Sequence, residues 1–183
     1  MSDDIGWQNH LYKRFVFTKM SKRPTFYYNG KPLRAGGCLF YVVKDGKREY
    51  LLRNTKWPKP NWSDIGGKTD RVDENILDTI VREVAEETNF QLFGEHDQAA
   101  AEAALYEHFD RANMEMYYGE KSKYMLLVCE VPSHVRNLPM KRFGLEEGTD
   151  KMAHRYKWTD TINRGKMHPR LRFNTDFREI FKV

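Results

Sequence analysis

The chain has 183 residues, of which 40% are apolar and 31% charged, a composition typical of one globular domain over residues 1–183 and not of a disordered chain. No apolar run approaches the roughly 18 residues that a membrane-spanning helix needs, and the N-terminus shows no signal peptide, so we expect a cytoplasmic protein with no membrane partner. The formal net charge of +5 favours anionic partners such as nucleotides, RNA or inositol phosphates, although a basic surface that serves solubility alone would explain it equally well. Cys38 and Cys129 both lie in apolar, strand-like runs and are expected to be buried, reduced thiols.

The N-terminal part of the chain predicts strands. Residues 1–34 form a basic, aromatic extension, in which Asn29-Gly30 predicts the turn of a small hairpin. The apolar run 35–43 predicts a central strand, and residues 49–53, which follow a turn, predict its antiparallel partner. Two prolines exclude regular structure from residues 57–62.

The most regular pattern is helical and extends from Asp73 to Thr88. Apolar residues recur there at spacings of three and four and form a single stripe, which comprises Leu77, Ile80, Val81 and Val84. Asp73 is the expected N-cap, because an aspartate side chain can accept from the free N–H groups of a first turn. Asn89 follows the last turn, where we expect the left-handed conformation that ends many helices. Residues 90–93 then predict a short strand.

The second half of the chain alternates between helical and extended patterns. Residues 95–108 contain an alanine-rich run with high helix propensity, which we interpret as an inserted helix. The apolar run 124–131 predicts a second central strand, which Pro132 ends. A charged loop precedes a short strand at 155–158, and residues 174–181 predict a closing helix.

Three carboxylates share one face of the first predicted helix. Glu83, Glu86 and Glu87 are three and four positions apart, and their repulsion would weaken an isolated helix unless a cation were bound. Hard oxygen ligands without histidine or cysteine favour Mg²⁺ or Mn²⁺, and Mg²⁺ commonly bridges carboxylates to substrate phosphates. Arg82 can pair with Glu86 or with Asp78 on the preceding turn. A solvated acidic surface is the common alternative for such a face.

Residues 67–90 resemble the Nudix box, whose pattern is Gly, five residues, Glu, seven residues, then Arg-Glu-apolar-any-Glu-Glu-any-Gly-apolar. From Arg82 onward the sequence matches this pattern except that Asn89 replaces the usual glycine. Before Arg82 the segment contains one extra residue. Glu74 keeps the seven-residue gap to Arg82, whereas Asp73 keeps the usual distance from the glycine. We assign the motif acid to Glu74, because the helix fixes the register from its C-terminal side.

This resemblance implies an α/β fold, a Nudix α/β/α sandwich with a mixed β-sheet between helices, and a metal-dependent pyrophosphohydrolase activity. The implied ligands of Mg²⁺ (or Mn²⁺) are the carbonyl of Gly67 and the carboxylates of Glu83, Glu86 and Glu87. Arg82 would orient these glutamates. The general base would be Glu83, which we favour, or a carboxylate of a later loop, Glu146 or Glu147.

The residues that select a substrate lie outside the box. The candidates are Trp62, Lys68, Tyr106 and Phe143. An aromatic ring can stack on a base, although packing in the core is the more frequent role of such residues. Tyr106 lies 16 residues after the box and is similar to a tyrosine of the subclass that acts on dinucleoside polyphosphates.

Three functions are consistent with these patterns. The first is a hydrolase of a nucleoside diphosphate-linked small molecule, either a nucleotide or a dinucleoside polyphosphate. The second is a hydrolase of the mRNA 5′ cap, in which basic residues of 12–34 and 164–172 would hold the RNA backbone, or of a diphosphoinositol polyphosphate. The third is a non-catalytic ligand sensor or RNA-binding module, which the complete set of box glutamates disfavours.

Overall fold

The computed structural model describes residues 23–55, 61–93, 97–140, 143 and 156–182. Within these residues the chain forms six strands, then two helices, then two further strands, and it ends with one strand followed by two short helices. The strands are β1 (Phe26–Tyr28), β2 (Lys31–Leu33), β3 (Ala35–Lys44), β4 (Lys47–Thr55), β5 (Asn61–Ser63), β6 (Ile65–Lys68), β7 (Met114–Gly119), β8 (Tyr124–Glu130) and β9 (Tyr156–Thr159). The helices are α1 (Ile76–Glu87), α2 (Gln98–Arg111), α3 (Pro169–Arg172) and α4 (Phe177–Phe181), with 3₁₀ turns at Ser133–Asn137 and Arg164–Lys166.

A seven-stranded mixed sheet organises the described part of the chain. Its main path is β5-β4-β3-β8-β7, while β6 pairs with the first half of β3 and β9 pairs with β4. The contact between β3 and β8 is parallel, in register from Ala35 opposite Tyr124 to Tyr41 opposite Glu130. The other pairings are antiparallel. The predicted mixed α/β class is therefore confirmed.

Helices cover both faces of this sheet, because successive side chains of a strand point to opposite sides. On β3, Cys38 and Phe40 pack in a core that includes apolar residues of α1 and α2. Leu39 and Tyr41 pack in a second core, to which α3 and α4 contribute. Helix α1 thus lies across one face of the sheet, and its opposite side is left for the acidic residues.

Helix α1 begins two residues later than the sequence predicts, because Asn75 and not Asp73 is its N-cap. The Asn75 side-chain oxygen accepts from the backbone N–H groups of Leu77 and Asp78 at 2.8 and 3.1 Å. The carboxylate of Asp78 in turn accepts from the Asn75 backbone N–H at 3.0 Å. This reciprocal capping box satisfies donors that a helix cannot pair internally. It leaves Asp73 available for a different contact.

The end of α1 confirms one prediction and contradicts another. Asn89 has φ of 51°, the left-handed conformation expected after the helix. Phe90 also has a positive φ of 57°, so its backbone is left-handed and not extended as a strand requires. Residues 90–93 form turns, and the short strand predicted there is wrong.

Most other predicted elements are confirmed within small shifts of their bounds. The β1–β2 hairpin turns at Asn29-Gly30, both with positive φ, and α2 overlaps the helix predicted for residues 95–108. Cys38 and Cys129 are buried and free. Strand β5 lies where the prolines excluded regular structure, and β7 was not predicted. No helix among the described residues is long and apolar enough to span a membrane.

Candidate active site

The acidic face of α1 meets the chain at two adjacent glycines, Gly66 and Gly67. Gly66 has φ of 154°, and a Cβ there would lie 2.3 Å from the Cα of Gly37 on the neighbouring strand. A Cβ on Gly67 would lie 2.1 Å from a carboxylate oxygen of Glu83. Because glycine has no side chain, β3 can approach this turn from one side and the Glu83 carboxylate from the other.

Arg82 connects the turn to the carboxylates. Its Nη1 donates to Glu83 Oε1 at 3.1 Å and to Glu86 Oε2 at 3.3 Å, and its Nη2 donates to the carbonyl of Lys68 at 3.1 Å. Burial alone would lower the pKa of the Arg82 guanidinium, but the hydrogen bonds that it donates to Asp73 and the charge of Glu83 raise this pKa above its ordinary value. Arg82 therefore stays charged and holds two of the three glutamates on one side of the helix.

Asp73, and not Glu74, is the acid that contacts Arg82. Its carboxylate accepts from Arg82 Nε at 2.9 Å and from Nη2 at 3.1 Å, and it also accepts from the hydroxyl of Thr79 at 2.7 Å. The Asp73 side chain is 1% exposed, whereas Glu74 lies on the surface. The assignment of the motif acid to Glu74 is contradicted by these contacts. The residue that the segment has in excess of the box pattern lies after Asp73, in the turn that leads to the N-cap. The sequence spacing from Gly67 to the motif acid is therefore the usual one.

Glu86 and Glu87 lie in different environments although they are adjacent in sequence. The Glu86 side chain is 37% exposed, whereas that of Glu87 is 4% exposed. One oxygen of Glu87 accepts from Arg53 and the other from the backbone N–H of Gly66 at 3.0 Å. The hydroxyl of Tyr156 donates to the Glu87 carbonyl at 2.6 Å. Glu87 thus ties the end of α1 to the glycine turn and to the sheet.

The residues of this cluster fit a hard divalent cation in their chemistry, because carboxylate and carbonyl oxygens are the ligands that Mg²⁺ takes. Glu83 lies next to Gly67, Glu86 shares the Arg82 guanidinium with Glu83, and Glu87 is held by Arg53. The described residues contain no group of three or more His, Cys, Asp or Glu side chains close enough to hold an ion. The donor chemistry of the cluster fits a divalent cation, while its three acids are held by ion pairs with Arg82 and Arg53.

The predicted substrate-binding residues lie at different depths. Lys68 is exposed at the end of β6, next to the glycine turn, and Trp62 is half-buried on β5 with the Lys157 ammonium 4.3 Å from its ring centre. Tyr106 donates its hydroxyl to Asp78 at the start of α1, at 2.5 Å. Residues 62 and 68 therefore lie on the chain that leads into and out of the turn, whereas Tyr106 contacts the opposite end of the helix.

Phe143 is a core residue in this structure. Its side chain is fully buried and packs edge-on against Tyr156, with ring centres 5.1 Å apart. A ring with no accessible face cannot stack on a substrate, so the predicted stacking role of Phe143 is corrected. The alternative general bases Glu146 and Glu147 lie outside the described residues.

A buried polar network below the glycine turn was not predicted. Arg170 Nε donates to Asp64 Oδ1 at 2.8 Å and to Ser63 Oγ at 3.0 Å, and the hydroxyl of Tyr124 donates to Asp64 Oδ2 at 2.5 Å. The Arg170 guanidinium also reaches the carbonyl of Gly66 at 3.4 Å. Burial lowers and the Asp64 carboxylate raises the pKa of Arg170, with a net rise, so the pair remains charged. This network fixes the turn from the face of the sheet opposite α1.

A cavity of about 780 Å³ lies beside this network. Its walls come from β7, the turn that follows β7, and the segment 168–176, and they include His168, Arg170 and Phe173. The described lining contains none of the four residues predicted to bind substrate. The volume is within the range of small-molecule pockets. Arg170 lines this cavity and also contacts the Gly66 carbonyl, so the cavity adjoins the network on the face of the sheet opposite α1.

No protein-family model matches the sequence, and no curated protein matches it significantly. Two solved structures of C. elegans Ap4A hydrolase are similar to the chain. The first, a binary complex, is 16% identical with a TM-score of 0.42, over 81% of this chain and 93% of that chain. The second is 20% identical with a TM-score of 0.35, over 69% of this chain and 79% of that chain. These values assign no activity to the chain.

Proposed function

We propose that this protein is a Nudix hydrolase, which cleaves a phosphoanhydride bond in a nucleoside diphosphate-linked substrate of the nucleotide or dinucleoside polyphosphate type. The proposal rests on one observation. Arg82 donates to both Glu83 and Glu86, and the Glu83 carboxylate lies against Gly67 in the turn before the helix. These are the positions that the box pattern marks, and they are brought together although Gly67 is 15 residues or more away in sequence.

The arrangement suits attack by water on phosphorus. A divalent cation bound by Gly67, Glu83, Glu86 and, after rearrangement, Glu87 would lower the pKa of a water molecule and neutralise phosphate charge. Glu83 is our proposed general base, because its carboxylate lies against the turn and can accept a proton from the attacking water. Arg82 positions Glu83 and Glu86, and Asp73 in turn holds Arg82.

Two side chains support an anionic, aromatic substrate. Lys68 follows Gly67 directly and its side chain is exposed, so its ammonium can reach a phosphate close to the acidic cluster. Trp62 lies five residues before Gly67 and is half-buried, so part of its ring remains accessible to a base. The hydroxyl of Tyr106 donates to Asp78, so its acceptor lone pairs and its half-buried ring are what it can offer to a substrate.

The experiment that tests the function is a substrate panel with Mg²⁺ on the purified chain. It compares nucleoside triphosphates, nucleotide sugars, ADP-ribose, diadenosine polyphosphates, diphosphoinositol phosphates and capped RNA. We expect Mg²⁺-dependent release of phosphorylated products from a nucleotide or dinucleoside polyphosphate. Cleavage of capped RNA or of a diphosphoinositol phosphate alone would replace this substrate class, and a panel without any turnover would contradict the enzyme assignment.

Two variants then test the site. Glu86→Gln keeps the shape of the side chain but removes its charge, and we expect turnover to fall by about 10²-fold or more with folding intact. Glu74→Gln is the matched control, because Glu74 lies on the surface. Equal losses in the two variants, or none in either, would rule out a specific role for the acidic face next to Gly67.

A further inference from the structure

We propose that Arg53 is an internal counter-ion of Glu87 that a divalent cation must displace, so that Arg53 sets the metal affinity of the acidic cluster. This inference rests on the proposed function, because it assumes that the cluster binds a metal. It adds a residue outside the box, on strand β4, to the elements that control the site.

The first argument is the state of the Glu87 carboxylate. Both of its oxygens are engaged, one by Arg53 and the other by the Gly66 N–H at 3.0 Å. The two charged side chains are almost buried, at 11% exposure for Arg53 and 4% for Glu87. A buried carboxylate requires a nearby positive charge. Glu87 can therefore turn towards a cation only if that cation replaces Arg53 as the source of the charge.

The second argument is that the Arg53 guanidinium is incompletely paired. Its Nε is buried and has no hydrogen-bond partner among the described residues, while Nη1 contacts Glu87. Most buried donors in folded proteins have an acceptor, and an exception costs free energy. The pair is therefore less favourable than a fully bonded one. Displacing Arg53 from Glu87 therefore costs a cation less free energy than displacing a guanidinium whose donors are all hydrogen-bonded.

The third argument is the contrast with Arg82. Arg82 donates twice to Asp73 and once to the Lys68 carbonyl, in addition to its contacts with Glu83 and Glu86. It would keep three hydrogen bonds if both glutamates turned to a metal. Arg53 has no such anchor among the described contacts, and its ion pair with Glu87 is the interaction that would be lost. Of the two arginines, Arg53 is the one whose partner the metal takes.

The test uses Arg53→Met, which keeps an unbranched apolar chain and removes the charge. Mg²⁺ affinity is measured without substrate, by calorimetric titration and by the rise in melting temperature relative to EDTA. We expect Arg53→Met to melt lower than the parent in EDTA, because Glu87 loses its counter-charge. We also expect it to bind Mg²⁺ about tenfold more tightly, the equivalent of one charge-assisted hydrogen bond.

Two further variants serve as controls. Arg136→Met breaks an ion pair with Glu49, away from the cluster, and should leave the Mg²⁺ affinity at the parent value. The double variant Arg53→Met/Glu87→Gln removes both charges of the pair and should lose the gain in affinity. A gain that persists in the double variant would mean that Glu87 is not the acid released, and would overturn the proposal.

The remaining outcomes also decide the question. Unchanged or weaker Mg²⁺ binding by Arg53→Met, with normal binding by the parent, would overturn the role of Arg53 and leave the proposed function intact. Absence of Mg²⁺ binding and turnover in all variants would overturn both. If Arg53→Met does not fold in EDTA, recovery of its near-ultraviolet circular dichroism on addition of Mg²⁺ supports the proposal, and failure to recover contradicts it.

Discussion

The guanidinium of Arg82 forms a two-point contact with the carboxylate of Asp73, with Nε 2.9 Å from Oδ1 and Nη2 3.1 Å from Oδ2. Such a parallel pair of hydrogen bonds fixes the plane of the guanidinium and so the direction of its remaining donor, Nη1. Nη1 is the atom that contacts Glu83 and Glu86. Asp73 thus controls the orientation of Glu83 and Glu86 through Arg82, although its own side chain is buried.

Because Asp73, and not Glu74, contacts Arg82, variants at the two positions should differ in stability. We expect Asp73→Asn to lower the free energy of unfolding by about 3 kcal/mol, because it weakens a buried ion pair, and to lower turnover as well. Glu74→Gln, at the adjacent exposed position, should change stability by less than about 0.5 kcal/mol. Urea unfolding of the two variants measures the difference. A larger loss for Glu74→Gln would restore Glu74 as the motif acid.

The sequence predicts the helix and its acidic face better than the loop before it. The apolar stripe from Leu77 to Val84 is periodic, so it determines which side of α1 packs on the sheet and which side carries glutamates. The register of the preceding loop is not periodic, and either Asp73 or Glu74 satisfies part of the pattern. Only the fold shows that the Asn75 cap leaves Asp73 facing Arg82.

Contacts between distant segments are the other part that the sequence does not predict. Arg170 looks like a surface cation in a basic tail, but Asp64, 106 residues away, makes it a buried ion-pair partner. Phe143 looks like a stacking residue, but its ring is fully buried against Tyr156 of β9. Local patterns contain no information on such pairings, which arise from topology.

The conformation of Asn89 predicts a pair of opposite mutational effects. Its φ of 51° is accessible to glycine without strain and unfavourable for a β-branched side chain. We expect Asn89→Gly to be neutral or slightly stabilising and Asn89→Val to lower the free energy of unfolding by about 1 kcal/mol or more. Thermal melting of the two variants measures the effect. Equal melting temperatures for the valine variant and the parent would be inconsistent with a left-handed residue.

The two glycines of the turn should respond differently to alanine. At Gly67 the atoms nearest to the added Cβ belong to the flexible end of Glu83, at 2.1 Å, so the carboxylate must move while the backbone can stay in place. We expect Gly67→Ala to fold and to lose about 10- to 100-fold in turnover. At Gly66 the Cβ would meet the backbone of Gly37 at 2.3 Å, in a left-handed conformation.

Gly66→Ala should therefore lose stability by about 1–3 kcal/mol or more, and not activity alone. Circular dichroism melting and turnover with the best substrate of the panel, measured on both variants, separate the two effects. A Gly67→Ala variant with full turnover would show that the position of the Glu83 carboxylate does not matter for the reaction.

The ion pair of Arg170 with Asp64 should contribute strongly to stability. Asp64 is completely buried, and removal of its partner would leave a carboxylate without a counter-charge in the interior. We expect Arg170→Met to lower the free energy of unfolding by about 3–5 kcal/mol. Arg111→Met breaks a pair with Glu107 whose side chains are 76% and 60% exposed, and should cost less than about 1 kcal/mol. Comparable losses in urea unfolding would contradict the difference in burial.

The imidazole of His108 should make the fold sensitive to mild acid. Burial lowers its pKa below the ordinary value, and the hydrogen bond that its Nε2 donates to the Glu130 carbonyl at 2.9 Å offsets only part of this effect. In the unfolded chain the imidazole takes up a proton from about pH 6.5 downward, whereas in the folded chain it stays neutral to lower pH. Its contribution to stability is therefore present above pH 6.5 and is lost as the pH falls through the folded pKa.

His108→Gln removes this titration and keeps an N–H donor for the Glu130 carbonyl. We expect the urea midpoint of the parent to fall between pH 7 and pH 5, and that of His108→Gln to fall less over the same range. His168, whose pKa is also lowered by burial and by Arg170, should account for part of the decrease that remains. Parallel pH profiles for the parent and His108→Gln would mean that the His108 imidazole takes up its proton equally well in the folded and the unfolded chain, and would contradict the prediction.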